Sequence, residues 1–203
     1  MRGVFIAIEG LDGCGKDTQI ELLKKRPELR DAVFTREPGG TEAGMEMRAT
    51  LLKDRDPALT VEAQMMLFFG ARAEHVAHVI RPALEAGKIV ISNRFALSTL
   101  AYEVEGPGRL DLKPLFDECM AQIVAGTAPH YVLLDIPAEV SAKRMEARDA
   151  LTHYDARPLD FHEKIRKSML AHVSDGAPGA VVDGSQSPEK VSEDVWKAIS
   201  SWI

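Results

Sequence analysis

The sequence predicts an α/β fold: a parallel sheet of five strands with helices on both faces, a three-layer sandwich. Two patterns predict the layers. Short apolar, β-rich runs alternate with longer stretches of helical periodicity along the chain. These runs are unbroken, with no polar residue at every second place, so each strand must be covered above and below, as in a parallel sheet. A third observation places the working end, because the first run feeds a glycine-rich turn that opens a helix. The 203 residues, 45% hydrophobic and 28% charged, suffice for one well-buried core, and a single domain over residues 1–203 is expected.

The first strand is Val4–Glu9, apolar up to its last residue, and the helix after it is Asp17–Lys25, with Ile20, Leu22 and Leu23 on its apolar side. A second strand, Ala32–Thr35, ends in a proline–glycine turn before the helix Thr41–Lys53. A long helix, Thr60–Ala86, carries Met65, Met66, Leu67, Phe68 and Phe69. The third strand, Ile89–Ser92, is followed by helices Leu97–Glu103 and Leu112–Ala125. The fourth, Tyr131–Ile136, precedes helices Ala138–Arg148 and Leu159–Val173, and the last, Ala180–Asp183, precedes Pro188–Trp202. Ser174–Ala180 reads as a loop, and neither an internal repeat nor a low-complexity tract interrupts the pattern. Glu9, Arg36, Asn93 and Asp135 fall at or just past strand ends. In a parallel sheet the carboxyl ends of the strands are where ligands gather.

Composition excludes several classes. No apolar run approaches the ~20 residues that span a bilayer, and the N-terminus lacks a signal-peptide pattern, so a cytosolic protein without membrane partner is expected. Two cysteines, Cys14 and Cys119, give neither a disulfide framework nor metal-ligand spacing. A formal net charge of −6 argues against a nucleic-acid polymer as partner. Any anion must be drawn by a local cluster of arginines.

Gly10 to Thr18, GLDGCGKDT, has the build of a phosphate-cradling loop. Backbone N–H groups, Lys16 and the N-terminus of the next helix all direct positive character at phosphate oxygens. Gly10, Gly13, Cys14, Gly15, Lys16, Asp17 and Thr18 are therefore candidates for binding nucleotide phosphates. Cys14 suits a tight turn as a small residue, the alternative being an oxidation-sensitive thiol. The residue after the lysine is ordinarily Ser or Thr, whose hydroxyl ligates Mg²⁺; here it is Asp17, with Thr18 one step late. Beyond the second strand lies Arg36-Glu37-Pro38-Gly39-Gly40, with Arg48 further on. An arginine at a strand end is well placed to fork onto a second phosphate.

Six motifs in order, the GxDGxGK loop, REPGG, a helix with LFxAxR, Asn93-Arg94-Phe95, SxxAY and a basic lid, resemble the thymidylate kinase family from Phe5 to about Arg166. The resemblance implies a P-loop NTPase-type fold with a short helical lid at about 144–158. It also implies transfer of the γ-phosphate of ATP to dTMP, with Mg²⁺ between donor oxygens, and a homodimer packed through helices beside the sheet. Residue by residue, it implies Lys16 on the donor phosphates and Asp12 on the acceptor's sugar 3′-hydroxyl. Arg36, Arg48 and Arg94 would hold the acceptor phosphate beside Pro38. Phe68 would stack on the base and Arg72 donate to a pyrimidine carbonyl, while Ser98, Thr99, Tyr102 and Glu103 would line the rest of the base pocket. For dimer contacts, the stretches Thr60–Ala86 and Leu97–Tyr102 offer apolar surface.

The chain departs from the family pattern in four places. The loop residue after Lys16 is Asp17, and the strand-end motif starts with Asn93 where the family has Asp, so the carboxylate has changed sides of the metal. Asp17 and Asn93 are the candidate metal ligands. A carboxylate ~4 Å from a phosphate charge costs about 4 kcal/mol at an effective dielectric of about 20, and a divalent ion equally near returns about twice that. The alternative is that Asp17 faces solvent as a first-turn helix acid. The glutamine that often reads the base is Glu103, which as a carboxylate accepts but cannot donate. Phe95 lacks the hydroxyl a tyrosine would supply. Finally, the loop holds no arginine, so the lid must supply the catalytic one. Arg148 is the first candidate and Arg144, toward ATP, the second, with Lys143 and Arg157 also available and His153 where another arginine is expected. Kinase action on another deoxynucleotide, and nucleotide binding without turnover, remain open alternatives. The GPGR turn, Gly106 to Arg109, resembles a family loop that closes over sugar and base.

Overall fold

The computed structural model describes residues 3–146, 154 and 157–203. Its sheet has five parallel strands, β1 Phe5–Glu9, β2 Val33–Arg36, β3 Val90–Asn93, β4 His130–Asp135 and β5 Gly179–Asp183, in the order β2-β3-β1-β4-β5. The chain therefore runs outward from β1, returns through β3 and crosses to β4, which puts the reversal of strand order beside β1. A crevice opens at such a reversal. Parallel register sets Ile8 and Arg36 on either side of Asn93 at the strand ends. β2 and β3 extend one residue beyond the sequence reading, because backbone pairing continues under a polar side chain.

Alternate strand residues face opposite layers, as the two-residue period requires. Phe5 and Ala7 of β1 pack beneath Met65, Phe69, Val76, Leu84 and Phe116, from α3 Val61–His75, α4 Arg81–Glu85, α6 Lys113–Ile123 and the turn joining α3 to α4. Ile6 and Ile8 face α1 Lys16–Leu23 and α9 Pro188–Ser200 through Ile20, Leu23, Val191, Val195 and Ile199. A third cluster, Leu11, Leu97, Ala101, Tyr102, Ile165 and Met169, joins the end of β1 to α5 Ala96–Thr99 and α8 Leu159–Ser174. Two further helices complete the set, α2 Glu42–Leu52 and α7 Ala138–Glu146.

The expected helix Thr60–Ala86 is one helical run with a π-helical turn, Val76–Ile80, between α3 and α4. Pro82 has no N–H for the carbonyl of His78 and its ring crowds that carbonyl, so the ladder widens upstream, with the Arg81 N–H reaching Val76. A second π-helical turn, Leu100–Glu105, follows α5 where a uniform helix Leu97–Glu103 was expected. It closes with the Gly106 N–H on the Ala101 carbonyl at 2.8 Å. Gly106 has no room for a side chain, since a Cβ there would collide with Ile165 of α8. Thr41 and Thr60 turn out to be N-caps, their hydroxyls accepting from Gly44 and Ala63 N–H at 3.0 and 3.2 Å.

Three expectations change. Leu97, Leu100 and Tyr102 are buried within the chain, so the stretch Leu97–Tyr102 offers no docking surface, while Met66 on α3 is exposed. The GPGR turn stands away from the crevice, with Arg109 paired to Glu62 at 2.6 Å and Asp111 at 2.8 Å. Asp135, at the end of β4, is taken up by both arms of Arg166, at 2.6 and 2.9 Å, and fastens α8 to the sheet. Arg148 and His153 lie outside the described residues. Among those described, no helix is long and apolar enough to cross a membrane.

Candidate active site

The turn after β1 wraps the N-terminus of α1. Gly10, at φ +139°, leaves no space for a Cβ, which would stand 2.5 Å from the Leu134 carbonyl oxygen. Lys16 is buried and its ammonium donates to the carbonyls of Gly10 and Leu11 at 3.0 and 2.7 Å. α7 braces the loop from outside. The Ser141 hydroxyl donates to the Asp12 carbonyl at 2.6 Å, and Arg144 donates to the carbonyls of Gly13 and Gly184 at 3.3 and 3.2 Å. Arg144 thus clasps the loop to the turn after β5. Cys14 is buried and Thr18 faces solvent on α1.

Beside this loop lies a cavity of about 260 Å³. Asp12, Gly13, Gly15, Lys16, Asp17, Arg36, Pro38, Arg48, Phe68, Arg72, Asn93, Arg94, Ser98, Thr99 and Tyr102 all line it. Gly10, Cys14, Thr18, Arg144 and Glu103, also singled out in the sequence, do not. Leu52, Phe95, Met145 and Tyr154 complete the wall together with Glu37.

The positive side is built around Arg94. Its φ of +69° is rare for a residue with a side chain and is imposed by its neighbours. Glu9, fully buried at the end of β1, accepts from the N–H groups of Phe95 and Ser98 at 2.8 and 3.2 Å and from the Ser98 hydroxyl at 2.6 Å. Burial pushes the Glu9 carboxyl above its ordinary range, with Arg94 pulling back. Arg94 in turn donates to Ser98 Oγ at 2.7 Å, to the Gly10 carbonyl at 3.2 Å and to Asp12 at 2.7 Å. Against the effect of burial, Arg94 and Lys16 hold the Asp12 carboxyl well below the usual range, and Asp12 holds Arg94 above its own. Tyr102 donates to the other Asp12 oxygen at 3.3 Å. Arg48 donates to the Pro38 carbonyl at 3.1 Å. Burial, then the charges of Arg36 and Arg94, lower its pKa. Three cations whose fields oppose one another on one wall make an anion site.

Asp17 does not simply face solvent. Its Oδ1 accepts from Asn93 at 2.8 Å and from Arg36 at 3.2 Å, although the side chain is 62% exposed. These bonds both use Oδ1, and among the described residues Oδ2 takes part in neither. A divalent ion bound through one carboxylate and nucleotide phosphates fits such a donor set. Among the described residues no group of three His, Cys, Asp or Glu could hold a metal by itself.

The opposite side carries Arg72, 1% exposed. Its Nε and Nη2 lie 2.9 and 2.8 Å from Glu37 Oε2, and Nη2 donates to Thr99 at 2.9 Å. Nη1 has no partner. Glu37, read in the sequence only as part of a turn, is therefore a structural member of the site; a carboxylate enclosed in an otherwise tight REPGG turn was the available signal.

Glu103 is placed elsewhere than its motif implied. It is 2% exposed and receives the Tyr154 hydroxyl at 3.1 Å, behind the cavity wall that Tyr154 forms. Burial raises its carboxyl from 4.5 to about 7, an environment that favours the neutral acid over the free ionised acceptor expected.

Known proteins with these features fall together. The family model described as thymidylate kinase matches residues 8–195. Thymidylate kinase of Desulfovibrio desulfuricans is 38% identical over 98% of this chain and 96% of its own length. That of a Geobacter species is 41% identical over 90% and 85%. The crystal structure of thymidylate kinase from Ehrlichia chaffeensis superposes with a TM-score of 0.75 at 27% identity, covering 97% of this chain and 98% of that one.

Proposed function

The chain belongs to the thymidylate kinase family, and from that premise we infer that it moves the γ-phosphate of ATP to dTMP, giving ADP and dTDP. The observation that carries this reading is one cavity with two unlike walls: three arginines beside a phosphate loop, and Phe68 with Arg72. A nucleoside monophosphate has the matching poles. Its phosphate meets Arg36 and Arg48, its base lies along Phe68, and a ring carbonyl receives Arg72.

Lys16 leaves its loop carbonyls to meet the donor phosphates, a substitution of one set of oxygens for another. Arg94, locked by Asp12, Ser98 and Gly10, stands between the two nucleotides with its orientation already set. A preset donor aimed at developing charge spares reorganisation during transfer. Asp12 retains lone pairs for the sugar 3′-hydroxyl. Mg²⁺ would be held by Asp17, with the Asn93 side-chain oxygen beside it, and would supply charge neutralisation on the phosphate oxygens. The lid, about 144–158, would bring a further cation over the site, with Arg148 as its donor. We take residues 1–203 as one cytoplasmic kinase domain working as a homodimer, with exposed Met66 of α3 at the contact.

A coupled ADP-release assay with Mg·ATP and a panel of dTMP, dUMP, dCMP, dGMP and dAMP tests the reading. Turnover confined to dTMP is expected. Preference for another nucleotide would overturn the acceptor assignment, and ATP binding without turnover would overturn catalysis.

A further inference from the structure

We propose that His75 and Glu37 are positioning residues that set the aim of Arg72, and through it the preference for an acceptor with a carbonyl on its pyrimidine ring. The proposal rests on the acceptor reading above. His75 closes α3 and is fully buried, outside the cavity wall. Its Nδ1 is 2.9 Å from Glu37 Oε1 and its Nε2 is 2.7 Å from the Thr35 hydroxyl of β2. Facing a carboxylate oxygen, Nδ1 carries the hydrogen in either charge state of the ring. The backbone of Gly40 packs against the imidazole so closely that any side chain there would collide with it. One ring thereby ties together α3, the end of β2 and the turn that carries Glu37.

The consequence lies in how a carboxylate is held. Oε1 is fixed by His75, and Oε2 accepts from Nε of Arg72 and lies 2.8 Å from its Nη2. Anchored at two oxygens, the carboxylate plane cannot rotate, and the guanidinium plane is fixed with it. The Phe69 and Phe95 rings, 5.0 and 5.1 Å from the guanidinium carbon, confine it further. Nη1, itself buried, is the one nitrogen of this side chain left without a partner among the described residues, and Arg72 lines the cavity in which a ligand acceptor would meet it. Release Oε1, and Glu37 turns about its terminal bond and carries Arg72 with it. A buried donor aimed at a carbonyl rejects a ligand with an amino group in that place, because donor then meets donor.

The test compares dTMP with 5-methyl-dCMP, which exchanges one ring carbonyl for an amino group, in wild type, His75→Ala, His75→Gln and His75→Asn. Asparagine places an amide nitrogen where Nδ1 was and keeps the bond to Glu37; glutamine reaches only toward Thr35. In H75A and H75Q the ratio of kcat/KM for the two nucleotides should fall by about tenfold or more. The fall should come through KM for dTMP, with KM for ATP unchanged and H75N near wild type. Equal losses on both nucleotides, or H75N behaving as H75A, would overturn the proposal. Glu37→Gln, checked for folding by circular dichroism, should show the same loss of discrimination, and its failure to do so would also count against it. A wild-type enzyme that favours dTMP while H75A keeps that ratio refutes only the positioning role. A wild type without preference for the carbonyl nucleotide refutes the acceptor reading as well.

Discussion

Glu103→Gln separates a buried acid from a base-reading one. The Tyr154 hydroxyl is 2.8 Å from Gln64 Oε1 and 3.1 Å from Glu103 Oε1, and the Gln64 amide is oriented by donating to the Leu59 carbonyl at 2.8 Å. A phenol has one hydrogen for these two oxygens. A protonated Glu103 can supply its own; an ionised one competes for the phenol's. Burial is the largest influence on Glu103, raising its pKa from 4.5 to about 7, while the Tyr154 bond and Arg157 act the other way. Below pH 4.5 the acid is protonated folded or unfolded and contributes no pH dependence. Between 4.5 and 7 the unfolded chain releases the proton and the native one keeps it, so stability falls by about 1.4 kcal/mol per pH unit. Above pH 7 the accumulated cost is about 3 kcal/mol. Glutamine never ionises and offers the phenol a permanent donor. E103Q should therefore track wild type near pH 4.5 and melt roughly 6–12 °C higher near pH 9 by scanning calorimetry. Melting curves offset by the same amount at every pH would refute the reasoning. Because Glu103 lies behind the wall, E103Q should also leave the choice of acceptor base unchanged.

Two further substitutions probe the phosphate side. Arg94→Met should lower kcat with dTMP by about 10²–10³-fold in steady-state assays while ATP still binds, as expected for a preset donor to transferring charge; loss confined to KM would contradict that role. Asp17→Thr should make ATP binding depend less steeply on Mg²⁺, since the carboxylate that repels phosphate without the ion is gone. Titrations with equal Mg²⁺ dependence in the two proteins would show that Asp17 serves only Asn93 and Arg36.

The layered fold was legible because it depends on local pattern. Unbroken apolar runs can be satisfied only inside a covered sheet, and the order of strands and helices followed at nearly every boundary. The phosphate loop and the REPGG turn were legible for a similar reason: each is contiguous, and its glycines and charged residues act within a few positions of one another. Glu103 was read onto the base pocket because it follows Ala101-Tyr102, where the family often carries a base-reading glutamine. In the fold the two neighbours diverge, Tyr102 lining the cavity and Glu103 enclosed behind it against Tyr154. Nothing in residues 97–103 alone announces this, because the partner that holds Glu103, Tyr154, is far away in sequence.

By itself the sequence determined the class of fold, the glycine-rich loop at the end of β1 and the cluster of arginines, since these follow from periodicity and from motifs whose chemistry is local. Only tertiary structure decided which carboxylates line the cavity and which are enclosed in the scaffold. Asp17 meets Asn93, and Asp12 meets Arg94, across strands distant in sequence. Glu37 is shared between His75 and Arg72. Glu9 and Glu103 are enclosed. The physical reason is that an acid's role depends on its burial and on the donors that surround it, and both are properties of packing between segments that no single stretch of chain contains.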